Sequence, residues 1–199
     1  MAQTRREENK HRTSEEILRA SRRLFREKGF ESVTLDEIAK KAGISRATLY
    51  NYFPGKDSLL LGILRAEHAL IRAMLSGELR GAGAEARLRQ TVEVLVLDAI
   101  SYLALTRKLL YLNSLEDNFL HPTRAELTQI FAGLVEECKA EGVFRSVIPT
   151  DEIVDLVMSV HLMVQFGWPG IGQWAPEACK DKANAMLNRV LSDVWLERR

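Results

Sequence analysis

The stretch "DEIAKKAGISRATLYNYFPGK", residues 36–56, decides how the chain is read. Its apolar positions are Ile38, Ala39, Ala42, Ile44, Leu49 and Phe53, a spacing of short helices and not of a strand. Two short helices cross closely when a small side chain sits at the crossing and the turn tolerates positive φ. Ala39, with Gly43 one helical turn later, meets both needs. Ser45 stands where the second helix needs a cap, and Pro54 and Gly55 break that helix after about Tyr52. The pattern predicts a helix-turn-helix whose second helix exposes Arg46, Ala47, Thr48 and Asn51, with Tyr50 and Tyr52 along its flanks. Such a helix enters a DNA major groove and turns its N-terminal residues to base edges. A plain helical hairpin with a polar face is the simpler reading of the same residues.

The rest of the chain is consistent with that unit. Of its 199 residues, 46% are hydrophobic and 28% charged, an ordinary globular composition. The first 56 residues hold 13 Lys and Arg against 8 Asp and Glu, whereas the remainder holds 15 against 19. A basic head on an acidic body suits a polyanionic partner, although an uneven solvated surface has the same count. Residues 1–12, "MAQTRREENKHR", read as a disordered arm without a secretory signal. The longest apolar run, "IVDLVMSVHLMVQFGW", is short for a membrane span and is interrupted by Asp155, His161 and Gln165. Cys138 and Cys179 stand far apart without metal spacing, as reduced thiols of a cytoplasmic protein do.

No segment alternates as a strand does, so the predicted fold is all-α. "TSEE" opens a first helix with Thr13 as cap and Glu16 closing a capping box, and Gly29 ends it. "TLDE" repeats the signal with Thr34 and Glu37. A long helix runs from about 56 to 79, "RGAGAEA" marks a boundary, and helices follow near 84–104, 106–117, 123–140, 150–167 and 176–196. The expected domains are 13–56 for the helix-turn-helix and 57–199 for a helical body.

The run "SEEILRASRRLFREKGFESVTLDEIAKKAGISRATLYNYFPGKDSLLLGIL" resembles the N-terminal domain of the TetR family of bacterial transcriptional regulators. The resemblance covers about residues 13–64 and rests on "KGFESVT", "IAKKAGIS", "TLYNYF" and the lysine that opens the next helix. It implies a homodimeric repressor of double-stranded operator DNA, with an effector pocket and dimer contacts in the C-terminal body. Carried over by position, it implies that Thr34 binds a phosphate and Arg46 reads a base. Ala47 and Thr48 touch base edges, Tyr50, Asn51 and Tyr52 line the groove wall, and Lys56 grips a phosphate.

In the body, the helix from Ile153 to Trp168 is apolar around its whole circumference, and the last helix carries Ala183, Met186, Leu187, Val190, Leu191, Val194 and Trp195 on one stripe. In the family these two helices form a four-helix bundle across the dimer. A mostly apolar effector pocket with polar anchors would draw on His68, Asp98, Tyr102, His161, Gln165 and Trp168. Each of these also suits an internally hydrogen-bonded core residue. No nucleophile elbow, phosphate loop or metal spacing appears, so neither enzymatic chemistry nor a cofactor is expected. The expected function is a repressor that releases its operator when a small, largely apolar effector binds. The alternative is a DNA-binding regulator governed by a protein partner or lacking an effector.

Overall fold

The computed structural model describes residues 2–115, 118–166, 168 and 170–196. Among them stand nine α-helices and one 3₁₀ turn, Ile171–Gln173, with no strand beyond an isolated bridge between Phe144 and Trp195. The all-α expectation holds. No helix among the described residues is long and apolar enough to cross a membrane.

The chain divides into two compact units, Met1–Ala66 with Ala104–Leu120, and Glu67–Leu103 with His121–Arg199. The first therefore takes a later segment beyond the 13–56 domain read from sequence. It begins with α1 (Ala2–Lys28). Residues 1–12 were expected as a disordered arm, but the helix is already present from Ala2. No Gly or Pro interrupts these turns, and polar pairs one turn apart replace the expected cap. Arg12 donates to the Asn9 side chain at 3.1 Å, and His11 lies 3.5 Å from Glu15. Thr13 donates its hydroxyl to the Asn9 carbonyl at 2.9 Å instead of capping a helix start.

The apolar stripe Ile17, Leu18, Leu24 and Phe25 is buried. Gly29, at φ +81°, ends α1, and the Phe30 ring folds back to 5.0 Å from that of Phe25. α2 (Leu35–Lys41) and α3 (Arg46–Tyr52) have seven residues each, too few to persist alone. Their ends are closed chemically. Thr34 accepts from the Glu37 N–H while the Glu37 carboxylate accepts from the Thr34 N–H, a complete capping box. Between the helices Gly43 sits at φ +69°, and the Ile44 N–H reaches back to the Ala39 carbonyl at 3.0 Å. Ile38, Ala39 and Leu49 then lie buried at the crossing. α4 (Lys56–Ser76) begins after Gly55. Its first part buries Leu59, Leu60 and Ile63, and Gly62 leaves room for the Phe53 and Leu18 side chains. α6 (Leu103–Asn113) adds Leu105 and Leu109 to the buried set.

In the second unit α5 (Ala84–Ser101) packs against α7 (His121–Ala140), α8 (Thr150–Phe166) and α9 (Pro176–Val190). Its core holds Leu88, Val92, Phe131, Val135, Phe144, Val157, Val160 and Leu187. The last helix, expected to reach residue 196, stops at Val190. The chain then pairs backbone groups with the segment after α7, Arg145 N–H to Val194 at 2.9 Å and Leu196 N–H to Val143 at 2.9 Å. Both cysteines are free and buried; burial raises the Cys138 thiol to about 12 and so keeps it inert.

Gly43 offers a clean backbone test, because a Cβ there meets nothing within 4 Å. Gly43→Ala is expected to cost about 1–2 kcal/mol by forcing an L-residue into the left-handed region. Gly55→Ala, equally unobstructed and not at positive φ, is expected to be close to neutral. Denaturant unfolding of both variants checks this; equal costs would remove Gly43 from its role in the turn.

Candidate functional site

α3 presents two unlike faces. Leu49 points inward and is fully buried, whereas Arg46, Ala47, Tyr50 and Asn51 are exposed at one-turn spacing on the other side. Ser45 holds the start: its hydroxyl accepts the Thr48 N–H at 3.0 Å and meets the Thr48 hydroxyl at 2.7 Å. Thr48 and Tyr52 are accordingly half-buried. The structure thus brings Arg46, Ala47, Tyr50 and Asn51 onto one outward surface and sets Thr48 and Tyr52 at its edges.

The Arg46 guanidinium is held in place. Its Nη1 donates to Asp36 Oδ2 at 3.1 Å and its Nε lies 3.0 Å from Asp36 Oδ1. Its Nη2 is 3.5 Å from the Tyr50 hydroxyl, with Cζ 5.5 Å from that ring's centre. Tyr50 is 39% exposed, so its ring supports the arginine more than it fills the core. Sequence reasoning missed Asp36: nothing in a linear pattern pairs residues ten apart across a turn.

The other predicted contacts have internal partners as well. Thr34 donates its hydroxyl to the Glu37 carboxylate at 3.1 Å. Lys28, at 2.6 Å, and the two Thr34 donors hold that carboxylate's pKa down to about 2. Lys56 donates to the carbonyls of Phe30 and Glu31 at 2.8 and 3.0 Å, and its Nζ lies 5.0 Å from the Phe30 ring. It therefore closes the turn between α1 and α2, and one of its three N–H groups remains for another acceptor. Lys108 of α6 reaches the same turn, 2.7 Å from Glu31 and 5.6 Å from the Phe30 ring, a link that no sequence signal announced.

The six residues predicted to line a pocket all lie in the second unit. His161 is 9% exposed on α8, and its Nδ1 has no hydrogen-bond partner. Burial lowers its pKa to about 4, and the nearby charge of Asp98 opposes that shift. Gln165, one turn on, is fully buried. Trp168 stacks on Trp174 with ring centres 5.9 Å apart, and Lys182 stands 5.3 Å from each ring. His68 is buried on α4 and lies 3.4 Å from Glu126, which also faces Arg72 at 3.5 Å. Tyr102 ends α5, its N–H bonded to the Asp98 carbonyl at 3.1 Å. His161 and Asp98 are thus neighbours, while His68 belongs to a separate ion-pair group. None of the six lines the surface cleft of about 490 Å³ between Glu85, Glu141 and Trp195, where Arg89 is already bonded to Asn188 and Glu85.

The sequence of α8 was expected to be apolar around its whole circumference, but the helix has two unlike sides and carries the exposed Asp155. Val154, Val157, Val160 and Val164 enter the unit's own core, while Leu162, Met163 and Phe166 are 45%, 41% and 64% exposed. The α9 stripe was expected in a dimer seam, yet Ala183, Leu187, Leu191 and Val194 are buried within the single chain. That stripe satisfies the intramolecular core against α5 and α8. Among the described residues, α8 carries an exposed apolar face.

Residues 17–63 match the family model described as "Bacterial regulatory proteins, tetR family". The transcriptional regulator EthR of Mycolicibacterium smegmatis is 46% identical over 48 residues, 24% of this chain and 22% of that relative. The sequence match thus spans about a fifth of that relative's length. The fold is similar to that of the transcriptional regulator FadR from Bacillus subtilis in complex with stearoyl-CoA. That likeness has a TM-score of 0.70 and 17% identity, covering 89% of this chain and 97% of that one. It is also similar to a regulator from Saccharomonospora viridis in complex with choline. There the TM-score is 0.69 and the identity 21%, covering 94% of this chain and 100% of that one.

The buried His161 makes stability depend on pH. Its folded pKa lies below the ordinary value of 6.5, so the unfolded chain takes up the proton first. Its contribution is whole above about 6.5 and falls toward pH 4 by about 1.4 kcal/mol per unit. His161→Gln is expected to remove this slope; denaturant unfolding at pH 7, 6 and 5 checks it, and equal slopes in the two proteins would show that His161 titrates normally.

Proposed function

We propose that the chain, whose residues 17–63 match the TetR family of bacterial regulatory proteins, is a sequence-specific DNA-binding transcriptional regulator of that family. It acts as a homodimeric repressor and releases its operator when a small, largely apolar molecule binds the second unit. One observation carries the DNA-binding reading: α3 buries Leu49 and turns Arg46, Ala47, Tyr50 and Asn51 outward from a short, capped crossing. Such a face supplies donors for base edges near the helix N-terminus and small or aromatic contacts beside them. Arg46 reads a base, and Ala47 and Thr48 lie against base edges. Tyr50, Asn51 and Tyr52 line the groove wall, while Thr34 and Lys56 meet phosphates at the ends of α2 and α4. The basic excess of the first 56 residues adds a sequence-independent attraction.

The α8 face supports a dimer, since Leu162, Met163 and Phe166 set exposed apolar side chains on one side of the helix. Two-fold symmetry also places two reading helices on a palindromic site, with half-sites about one helical turn apart. Control by a small molecule is supported by polar groups set in an apolar unit, the buried His161 facing the charge of Asp98 and Gln165 one turn on, with the Trp168–Trp174 stack and the His68 ion-pair group elsewhere in the same unit. The stearoyl-CoA and choline held by the two similar structures are in keeping with it. An effector lowers operator affinity only if it prefers the DNA-incompetent state; equal affinity for both states shifts nothing.

Selection of bound duplexes from a randomised library is expected to enrich a two-fold motif. Arg46→Ala then loses about ten- to a hundredfold in affinity, concentrated at one base pair of each half-site. A wild-type protein that enriches no motif would defeat the DNA-binding reading. Phe166→Glu is expected to yield monomers by sedimentation, with operator affinity falling steeply; a wild type that is monomeric at micromolar concentration would defeat the dimer.

A further inference from the structure

The reading arginine is not alone on its surface. α2 and α3 cross so that Asp36, in the first turn of α2, meets Arg46, the first residue of α3. The carboxylate takes one guanidinium N–H at 3.1 Å and the Tyr50 hydroxyl stands 3.5 Å from Nη2, with the Tyr50 ring alongside. Both charged side chains remain open to water, 65% exposed for Arg46 and 58% for Asp36.

We propose that Asp36 is a positioning and specificity-determining residue: it holds Arg46 where a base edge can take it and withholds it from phosphates. The inference rests on the DNA-binding reading above. An arginine on a flexible stem satisfies any nearby phosphate, and that contact carries no sequence information. Asp36 changes the balance in two ways. It orders the side chain before DNA arrives, so less rotamer freedom is lost when a base is engaged. It also cancels much of the local positive charge, which weakens attraction to a phosphate more than donation to a neutral base edge. Guanine O6 and N7 ask for two N–H groups, and of the five on Arg46, one is bonded to Asp36 and one lies near Tyr50, which leaves enough for a fork. Specificity is the ratio of base-directed to backbone-directed affinity, and Asp36 lowers the second more than the first.

Asp36 has another use, since an acidic residue in the first turn of a helix is favoured by the helix dipole. That role needs a carboxylate, but not one aimed at Arg46. The test measures binding of a duplex enriched by the wild type and of a scrambled duplex, each across a salt series. The proteins are wild type, Asp36→Asn, Asp36→Glu, Arg46→Ala and the double variant Asp36→Asn with Arg46→Ala, all checked for a cooperative melt. Asp36→Asn is expected to bind the scrambled duplex several-fold more tightly, with a salt slope steeper by about one unit. Its specific-to-scrambled ratio falls about tenfold, and library selection with it loses preference at one base pair per half-site. Asp36→Glu restores the ratio, and in the Arg46→Ala background Asp36→Asn changes neither affinity. An unchanged motif and ratio in Asp36→Asn would overturn the proposal. So would tighter scrambled binding that persists without Arg46, since that is plain charge repulsion. A wild type that enriches no motif would overturn the DNA-binding reading itself, and this inference with it.

Discussion

The outward face of α3 depends on a crossing between two helices that cannot stand alone. α2 and α3 have seven residues each, about two turns, and helices of that length are unstable in water. Three local devices compensate: the capping box at Thr34, the cap at Ser45, and Gly43 in the left-handed region between them. Burial of Ile38, Ala39 and Leu49 then fixes the angle at which α3 leaves the surface. The aim of Arg46 is a consequence of that packing.

Charge in this unit is arranged rather than merely abundant. Lys28 is paired with Glu37, Arg46 with Asp36 and Lys108 with Glu31, while Lys56 bonds two carbonyls at the turn that precedes α2. A net count of Lys and Arg against Asp and Glu describes long-range attraction to a polyanion, but not which cation is free to leave its partner. Exposed pairs of this kind are screened and individually weak, so an outside acceptor can displace the internal one at small cost. The surface is thereby ordered without being locked.

The second unit sets polar groups against an apolar background. His161 is kept neutral by burial, Gln165 lies one turn away, and the Trp168–Trp174 stack is flanked by Lys182. Such groups cost free energy in a core unless something repays their desolvation, and recognition of a ligand is one return. On α8 the same helix serves the core through its valines and shows Leu162, Met163 and Phe166 to the outside. One run of apolar residues thus has a buried face and an exposed one.

Signals that act within one or two turns were legible in the sequence. Gly29 and Gly43, the caps Thr34 and Ser45, and the breaks at Pro54 and after Leu79 placed the helices to within a few residues, because those effects are local and chemical. Other readings went astray. Residues 2–12 form helix because a polar segment without Gly or Pro can extend one already nucleated, and the α9 stripe turned inward because a stripe shows that a face is buried, not against what. What only the tertiary structure decided were meetings across the chain: Arg46 with Asp36, Lys56 with the Phe30 and Glu31 carbonyls, Lys108 with Glu31. These pairs are separated by between ten and 77 residues, and periodicity holds no record of them. They arise when helices cross at an angle set by side-chain volume, which a linear pattern does not encode.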